Sequence, residues 1–513
     1  MTLLWLAGVA LGFPLLNEVE FGPLCSPIPQ GADRWWAEGE PGHEMARVTV
    51  DLVAHPRAMC NDGTAATYYV RPGVDPTRWV VHLQGGGACQ SEEECRARWC
   101  YTPASEYSAE MMSSDESFGT LLTGGIFDPD PVLNKFSAWN HVFVHYCSSD
   151  FFLGRSADVD FENLLEPEFN YRIHFLGQDT LDAIFTDLRS TTPDLAAQGM
   201  SSLDDATQVL LTGTTSGAVG VIHNLDRVSA QLQATNPSVD VRGVIDSAGY
   251  PAADTTGGGP YTGVVDPLNV WKYELLAADN SLFGGELDAS CIASEIALTE
   301  PWWCEEQMHV LTHQVETPFF LYNDQLAVEN PLCKGDPSCV PMWIDQVNAL
   351  AHIADPDVVG RLSPPAYPID APLPGYSLPR CGTHAGLGWP DSLGFLHVKV
   401  PLDAYVPGGS TWVSFHDALW SWVEGDSGAT TILRSIDDGA PDCPAPPLSR
   451  RGFGRHGRPR LRDGHVDVAA NALRRERDGV LRRRWRPGLD SQPFGAADCD
   501  ADLGRCGPVF RRS

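Results

Sequence analysis

The stretch LLTGTTSGAVG, residues 210 to 220, has the composition of a tight turn that presents a hydroxyl nucleophile. Gly213 and Gly217 stand two positions before and two positions after Thr215, a spacing that lets a strand turn sharply into a helix with one side chain at the apex. A hydroxyl displayed in this way can attack an ester carbonyl once a neighbouring imidazole accepts its proton. Serine is the usual apex residue, so Thr215 makes the chemistry an open question, and a glycine-rich turn without catalysis also fits the pattern.

The flanking residues predict the strand and the helix that such a turn needs. QVLLTG (208 to 213) reads as a buried strand, and Gly217 to about Leu232 reads as the helix after it. Between about Arg47 and Gly425 apolar runs alternate with helical patterns, with further strands in 78–89, 141–152, 239–250 and 317–324 and helices at 180–189 and 411–423. This alternation is typical of an α/β fold with a mainly parallel sheet covered by helices on both faces.

Two stretches interrupt this alternation, at about 251–316 and 354–380, and both are rich in Pro, Gly or Trp. Insertions over an active-site face have this composition, and so do plain surface loops. Both interpretations remain open from the residues alone.

Composition and charge restrict the class of partner. Of the 513 residues, 43% are hydrophobic and 20% are charged, as in a globular protein outside the membrane. The net charge of −32 disfavours nucleic acids and anionic membrane surfaces, because both are repelled by an acidic surface. A neutral or cationic partner fits this charge.

The chain is expected to divide into three parts. Residues 1–24 contain a short apolar run that suits either a signal segment or a buried terminal element, and the run is too short for a confident membrane span. Residues 25–440 form the α/β domain. Residues 441–513 are a Pro/Arg-rich tail, because about sixteen of the 35 Lys and Arg fall after Ser449. We expect the tail to be disordered, although a basic interaction tail or an out-of-frame end of the gene also fits.

The fourteen cysteines indicate disulfides and a secreted or otherwise extracytoplasmic protein, since neither a CxxC pair nor a zinc-like Cys/His spacing occurs. Cys291 with Cys304 and Cys333 with Cys339 are plausible local pairs. A catalytic cysteine, at Cys89 or Cys381, is the alternative.

Several motifs occur in an order that points to one family. After the turn, Gly220 is followed by Asn224, Leu225, Asp226, Arg227 and Val228, and the chain also contains CNDGTAATYYV (60–70), LQGGGACQSEEEC (83–95), YCSSD (146–150), DSAGY (246–250) and RCGTH (380–384). Together these six segments resemble the pectin acetylesterase and Notum carboxylesterase family over about 47–425. The resemblance implies an α/β-hydrolase-like fold with a Ser-His-Asp triad and with neither metal nor cofactor.

The resemblance also implies a role for individual residues. Thr215 falls on the serine, His384 on the triad histidine and Asp324 on the acid, in the order nucleophile, acid, base that α/β hydrolases use. The backbone amides of Gly86, Gly87 and Ser216 would form the oxyanion hole, the set of donors that stabilises the tetrahedral intermediate. Cys60 is expected to pair with Cys147, a Cys89–Cys95 bridge would pin the glycines beside it, and a bridge at Cys381 would steady His384.

Three functions remain open. The chain is a carboxylic-ester hydrolase that uses Thr215, or one that uses Ser216 with a shifted glycine register, or a member that has lost the reaction and binds a glycan or an acyl group in the inherited pocket. A small acyl ester or an acetylated polysaccharide is the expected substrate class.

Overall fold

The largest sheet in the described part of the chain has ten strands. The structure is a computed structural model, and it describes residues 44–100, 111–114, 120–122, 124–161, 171–248, 282–299, 301–323, 375–378, 387, 397–401, 410–425 and 432–434. All of these residues belong to the unit Met1–Ser449. The strands are β1 (Glu44–Thr49), β2 (Thr67–Arg71), β3 (Arg78–Leu83), β4 (Thr120–Leu122), β5 (Asn140–Val144), β6 (Ser156–Phe161), β7 (Tyr171–Phe175), β8 (Gln208–Thr214), β9 (Asp240–Asp246), β10 (Phe319–Tyr322), β11 (Gly375–Leu378), β12 (His397–Pro401), β13 (Ser410–Ser414) and β14 (Ile432–Arg434).

The sheet is mainly parallel, as the alternation of apolar runs predicts. Its strands lie in the order β14-β11-β10-β9-β8-β3-β5-β2-β1-β4. From β14 to β5 neighbouring strands are parallel, and β2, β1 and β4 continue the sheet in antiparallel pairs. The carboxyl ends of β3, β8, β9 and β10 therefore meet at one edge, where loops that carry chemistry collect.

Helices cover both faces of the sheet. They are α1 (Glu92–Cys100), α2 (Gly177–Ser190), α3 (Pro193–Ala197), α4 (Ser216–Thr235), α5 (Ala289–Ile292), α6 (Glu295–Thr299), α7 (Gln307–His313) and α8 (Phe415–Glu424). Alternate strand residues point to opposite faces. Strand β8 illustrates this, because Leu211 lies in the apolar cluster that contains Leu181 of α2 and Ile222 of α4, whereas Leu210 lies in the cluster that contains Leu419 of α8.

The segment 411–423 differs from its prediction as one helix. Residues up to Ser414 form β13, which pairs with β12, and the helix begins only at Phe415. Ser414 caps it, since the Ser414 hydroxyl accepts a hydrogen bond from Asp417 N at 2.9 Å. The apolar residues in TWVS satisfy the two-residue strand period as well as the helical one, so periodicity alone could not place this boundary.

The first interruption of the sequence pattern, where it is described, is helical. Residues 289–313 contain α5, α6 and α7, and the Cys291–Cys304 disulfide links α5 to the short turn before α7. Val310 and Leu311 of α7 are buried in the same cluster as α4. This part is thus packed against the core rather than being a plain surface loop, while 251–281 and 354–374 lie outside the described residues.

Two more disulfides hold segments at the carboxyl edge of the sheet. Cys60 pairs with Cys147 across 87 residues, and Cys89 pairs with Cys95. These are the two pairs that the sequence analysis anticipates, together with Cys291–Cys304. Cys333, Cys339 and Cys381 lie outside the described residues, as do the expected terminal parts 1–24 and 441–513.

Three histidines are buried in apolar surroundings. Burial lowers the pKa of His82 and of His141 to about 3 and that of His223 to about 4. Aromatic rings surround His82, with the Phe127 and Phe143 centroids 5.0 and 5.4 Å from its own. Such residues are neutral in the folded chain but protonated below about pH 6.5 once the chain unfolds.

We expect stability to fall as the pH is lowered from about 6.5 towards about 4, by roughly 1–3 kcal/mol per pH unit, because unfolding takes up protons at the histidines. Asp150 acts in the opposite direction, since burial raises its pKa from 3.8 to about 6 and its proton is bound only in the folded state over this range. On unfolding in this pH range, the three histidines take up more protons than the one carboxyl releases, so the net effect is a loss of stability. Urea unfolding measured from about pH 7 to about pH 4.5 tests this, and H223L should reduce the slope by up to about 1.4 kcal/mol per pH unit. Equal slopes for H223L and the wild type would contradict the assignment.

Candidate active site

The turn between β8 and α4 places Thr215 at its apex. Thr215 is the single residue between the end of β8 at Thr214 and the start of α4 at Ser216, and its backbone angles are φ +51° and ψ −116°. Positive φ is unusual for a β-branched residue, costs of order 1–3 kcal/mol, and persists only where the surroundings enforce it. Here Thr215 N donates to Asp246 O at 2.8 Å, and Thr215 O accepts from Val219 N at 3.0 Å. The strained apex is therefore fixed on both sides.

Backbone segments pack so closely at this turn that only glycine fits at positions 213 and 217. A Cβ atom at Gly213 would lie 2.4 Å from the carbonyl carbon of Gly217, and a Cβ atom at Gly217 would lie 2.0 Å from the carbonyl oxygen of Leu83. Neither distance is possible for a side chain. The spacing found in the sequence thus reflects the contact between α4, β8 and the end of β3.

The residues 85–87, which we call the glycine loop, lie beside the apex. Gly86 N donates to Thr215 Oγ1 at 3.3 Å, and a Cβ atom at Gly85 would lie 2.1 Å from the same oxygen. Gly86 and Gly87 have φ of +150° and +65°, in the region that favours glycine. The structure therefore brings together Thr215 and the glycines expected at its side.

Ser216 is the first residue of α4 and is 4% exposed, whereas Thr215 is half-buried. Its backbone N–H belongs to the first turn of the helix, where N–H groups lack intrahelical partners and the helix dipole is positive. Such an amide is suited to bind an oxyanion.

Side chains behind the glycine loop hold it in place. Arg98 of α1 is 3% exposed and donates from Nη1 to Gly86 O at 2.5 Å. Gln84 Oε1 accepts from Tyr146 N and bonds His145 Nδ1, both at 2.9 Å. Sequence reasoning missed these residues, because their contacts join segments far apart in the chain.

The YCSSD segment supports the carboxyl edge of the sheet. Asn61 donates from Nδ2 to Ser148 O at 2.8 Å, and its Oδ1 accepts from Ser149 Oγ at 2.6 Å. Asp150 accepts from Gly177 N at 2.7 Å, at the start of α2. The Cys60–Cys147 disulfide joins the same two segments. This set of bonds ties the hairpin at 60–66 to the loop after β5.

The residues Asn224, Asp226 and Arg227 of α4 bind neighbouring segments. Asp226 accepts from Glu316 N at 2.9 Å and from Thr317 N at 2.8 Å, just before β10. Asn224 donates to Phe152 O at 3.3 Å, and Arg227 forms an ion pair with Asp182 of α2. The motif therefore anchors the helix that carries the apex.

Asp246, at the carboxyl end of β9, is fully buried and was not singled out from the sequence. Its Oδ2 accepts from Thr214 Oγ1 at 3.1 Å and from Leu387 N at 2.8 Å, and its Oδ1 accepts from Ser247 Oγ at 2.9 Å. The aspartate thus connects the residue before the apex to Leu387, which lies 141 residues after Asp246 in the chain. Its position in DSAGY, directly after a predicted strand, was the only signal in the sequence.

His384 and Asp324 lie outside the described residues, but both have described neighbours. Leu387, three positions after His384, bonds Asp246 as above. Asn323, directly before Asp324, is buried at the end of β10, and Tyr322 O accepts from Ser247 N at 2.8 Å.

Within the described ranges, no group of three or more His, Cys, Asp and Glu side chains could hold a metal ion. In the same ranges, the structure contains no helix with the length and apolarity needed to cross a membrane.

Replacing Asp246 by alanine should destabilise the protein by about 2–4 kcal/mol, because two hydroxyls and one buried N–H would lose their acceptor. Asp160→Ala is the control, since the Asp160 side chain is 44% exposed, its ion-pair partner Arg172 is itself 33% exposed, and its loss should cost under about 1 kcal/mol. Thermal and urea unfolding of both variants measure the difference. Equal losses would contradict the role given to Asp246.

Comparison with known proteins identifies relatives. The model of the pectinacetylesterase family matches residues 41–330. Palmitoleoyl-protein carboxylesterase NOTUM of Drosophila melanogaster is 30% identical over 316 residues, which are 60% of this chain and 42% of that protein. Palmitoleoyl-protein carboxylesterase notum2 of Xenopus laevis is 31% identical over 283 residues, 53% of this chain and 51% of that protein. The chain spans about half the length of these relatives.

A solved structure of the Wnt deacylase Notum from Drosophila superimposes with a TM-score of 0.53 at 24% identity, and the match covers 78% of this chain and 99% of that one. The fold is accordingly α/β-hydrolase-like, as the resemblance implied. Since the family model matches more than half of its residues, this chain belongs to the pectinacetylesterase family.

Proposed function

We propose that the protein is a secreted carboxylic-ester hydrolase in which Thr215 is the nucleophile, His384 the general base and Asp324 the acid that orients it. One observation carries the proposal. The Thr215 hydroxyl stands at the apex of a strained strand-to-helix turn, and a backbone amide of the glycine loop reaches it at 3.3 Å.

The geometry favours Thr215 over Ser216 as the nucleophile. Thr215 has the positive φ and is half-buried, which suits a side chain that meets substrate, whereas Ser216 is 4% exposed in the first turn of α4. The close contacts of Gly213 and Gly217 also centre the turn on Thr215. Ser216 is better suited to contribute its N–H to the oxyanion hole.

The assignment of His384 draws support from Leu387. A chain spans at most about 3.6 Å per residue, so the Cα of His384 lies within roughly 11 Å of the Cα of Leu387. Leu387 N is bonded to Asp246 Oδ2, which also accepts from the residue before Thr215. This contact of Leu387 supports the proposal that His384 acts on Thr215.

The assignment of Asp324 rests on strand order. β10 is the second strand from β8 in the sheet, which puts their carboxyl ends about 10 Å apart. Asp324 directly follows Asn323 at the end of β10. A histidine between the two ends could bond both Thr215 and Asp324.

These residues together would perform acyl transfer. His384 accepts the Thr215 proton as Oγ1 attacks the ester carbonyl, and Asp324 keeps the imidazole in the tautomer that can do so. The amides of Gly86, Gly87 and Ser216 stabilise the oxyanion, by about 3–4 kcal/mol for each donor. His384 then passes its proton to the alcohol oxygen as the ester C–O bond breaks and the acyl group stays on Thr215. Water next attacks this acyl group and gives a proton to His384, which returns it to Thr215 Oγ1 as the acid leaves.

The methyl group of Thr215 should slow the proposed hydrolysis. Thr215 Oγ1 accepts a hydrogen bond from Gly86 N in the resting structure. The hydroxyl therefore has to move away from this N–H before the N–H can bind the oxyanion. A β-branched side chain has restricted χ1 rotation, which hinders that movement. The proposed enzyme is therefore slower than its serine counterpart would be.

The substrate class follows from the relatives and from charge. The relatives act on palmitoleoyl-protein esters and, by the family's name, on acetylated pectin. Pectin is a polyanion, and a chain with net charge −32 would repel it. We propose a neutral acyl ester or a neutral acetylated polysaccharide.

Substitutions at the apex separate the candidate nucleophiles. Thr215→Ala and His384→Ala should abolish turnover of p-nitrophenyl acetate, and Ser216→Ala should leave kcat within about threefold, because alanine keeps the backbone N–H. Thr215→Ser should raise kcat by up to about a hundredfold, since it removes the methyl that misplaces the oxygen. Steady-state kinetics of the four variants measure this.

The same experiment tests the alternatives. Loss of turnover in Ser216→Ala with retention in Thr215→Ala would make Ser216 the nucleophile. A wild type without turnover and a Thr215→Ser variant with turnover would identify a binding protein that retains the pocket. The Thr215 methyl at positive φ is the observation that favours this second function.

A further inference from the structure

The peptide bond between Gly86 and Gly87 has a carbonyl and an N–H group that face different partners. Its carbonyl is Gly86 O, which binds Arg98, and its N–H is that of Gly87, which is assigned to the oxyanion hole above. A trans peptide is planar and its C=O and N–H point in opposite directions. Whatever holds the carbonyl therefore also sets the direction of the Gly87 N–H.

The glycines do not by themselves fix this direction. Gly86 has φ +150° and Gly87 has φ +65°, and glycine occupies such regions and their mirror images at similar free energy. A peptide between two glycines can thus reverse with little backbone cost. A reversed peptide would direct the carbonyl oxygen, instead of the N–H, towards the oxyanion.

Arg98 is held where it can prevent this reversal. It is 3% exposed, its Nη1 lies 2.5 Å from Gly86 O, and its guanidinium carbon lies 5.8 Å from the centre of the Tyr146 ring. Cys95, one turn earlier in α1, is disulfide-bonded to Cys89 just after the glycine loop. The bridge and the guanidinium therefore join one helix to the same loop.

We propose that Arg98 is a positioning residue of the oxyanion hole, which holds the Gly86–Gly87 peptide with the Gly87 N–H towards the substrate. A charge-assisted hydrogen bond is about twice as strong as a neutral one, so it selects one orientation of the peptide. The positive charge at the carbonyl also polarises the peptide and makes the Gly87 N–H a stronger donor. This inference rests on the proposed function.

A buried arginine elsewhere provides the matched control. Arg242 of β9 is 9% exposed, donates from Nη1 to Trp422 O at 2.7 Å and has its guanidinium carbon 5.1 Å from the Trp422 ring. It resembles Arg98 in its burial, its bond to a backbone carbonyl and its contact with an aromatic ring, but the carbonyl belongs to α8 and Arg242 also forms an ion pair with Asp240. Arg242→Met therefore measures what a purely structural arginine contributes.

The test compares Arg98→Met, Arg98→Lys and Arg242→Met by p-nitrophenyl acetate kinetics and by crystal structures of the wild type and the Arg98 variants. Arg98→Met should lower kcat by about 10- to 100-fold with KM within about threefold, because an oxyanion donor acts on the transition state. Arg98→Lys, which keeps a charged donor, should recover part of the loss, and Arg242→Met should leave kcat within about threefold. The Gly86–Gly87 peptide of Arg98→Met should be reversed or occupy two orientations.

Failure of this inference can be distinguished from failure of the proposed function. A wild type without turnover would count against the esterase, and the peptide orientation in the Arg98→Met crystal would still decide the role of Arg98. An unchanged peptide, an unchanged kcat, or an equal loss in Arg242→Met would overturn the inference. Should Arg98→Met not fold, Arg98→Gln takes its place, because the shorter neutral side chain removes the charge, and an unchanged kcat together with an unchanged peptide in that variant would overturn the inference.

Discussion

The site depends on one close approach of backbone to backbone. Where α4 begins, Gly217 touches the end of β3 so closely that a Cβ atom would lie 2.0 Å from Leu83 O. This contact puts the apex of the turn directly beside the loop that continues from β3. The separation of Thr215 from the glycine loop is therefore set first by the contact between α4 and the end of β3, and the side chains of Arg98 and Gln84 then hold the loop itself.

Around this contact, hydrogen bonds from side chains hold the loops at the edge of the sheet, where apolar packing offers no partner for backbone polar groups. Loops there contain many backbone groups that need partners. Asn61, Asp150, Asp226 and Asp246 supply them, each buried or partly buried and each bonded to backbone of another segment. The fold is thus stabilised in two ways, by apolar packing on the faces of the sheet and by hydrogen bonds at the carboxyl ends of its strands.

The sequence predicts the elements of the fold well, because their signals are local. Gly213 and Gly217 mark the turn, and the apolar periods of β8, α4 and α2 are long enough to identify each element. The predicted start of the last helix at residue 411 was wrong, because the residues up to Ser414 fit the strand period as well as the helical one. The hairpin of β6 and β7 was not predicted either, and its alternating SADVDF is too polar to stand out as a strand.

The supports of the site could not be read from the sequence, because they are contacts between distant segments. Arg98 appears as one of many charged residues in a short polar helix, and only the fold puts it against Gly86. Asp246 appears as an ordinary strand-ending aspartate. The turn at Thr215, by contrast, was predicted from the spacing of Gly213 and Gly217, and the glycine loop from its resemblance to the family, because both are local patterns.

The Cys60–Cys147 bridge has a consequence for how the protein is made. It joins residues 87 positions apart, and β2, β3, α1 and β5 lie between them, so the strand that leads into the glycine loop is part of one covalent ring. In a reducing cytosol this ring would stay open, and the hairpin at 60–66 would lose its covalent link to Cys147 and keep hydrogen bonds such as that from Asn61 Nδ2 to Ser148 O. Recombinant material for any measurement on this protein should accordingly come from the periplasm or from a eukaryotic secretory pathway.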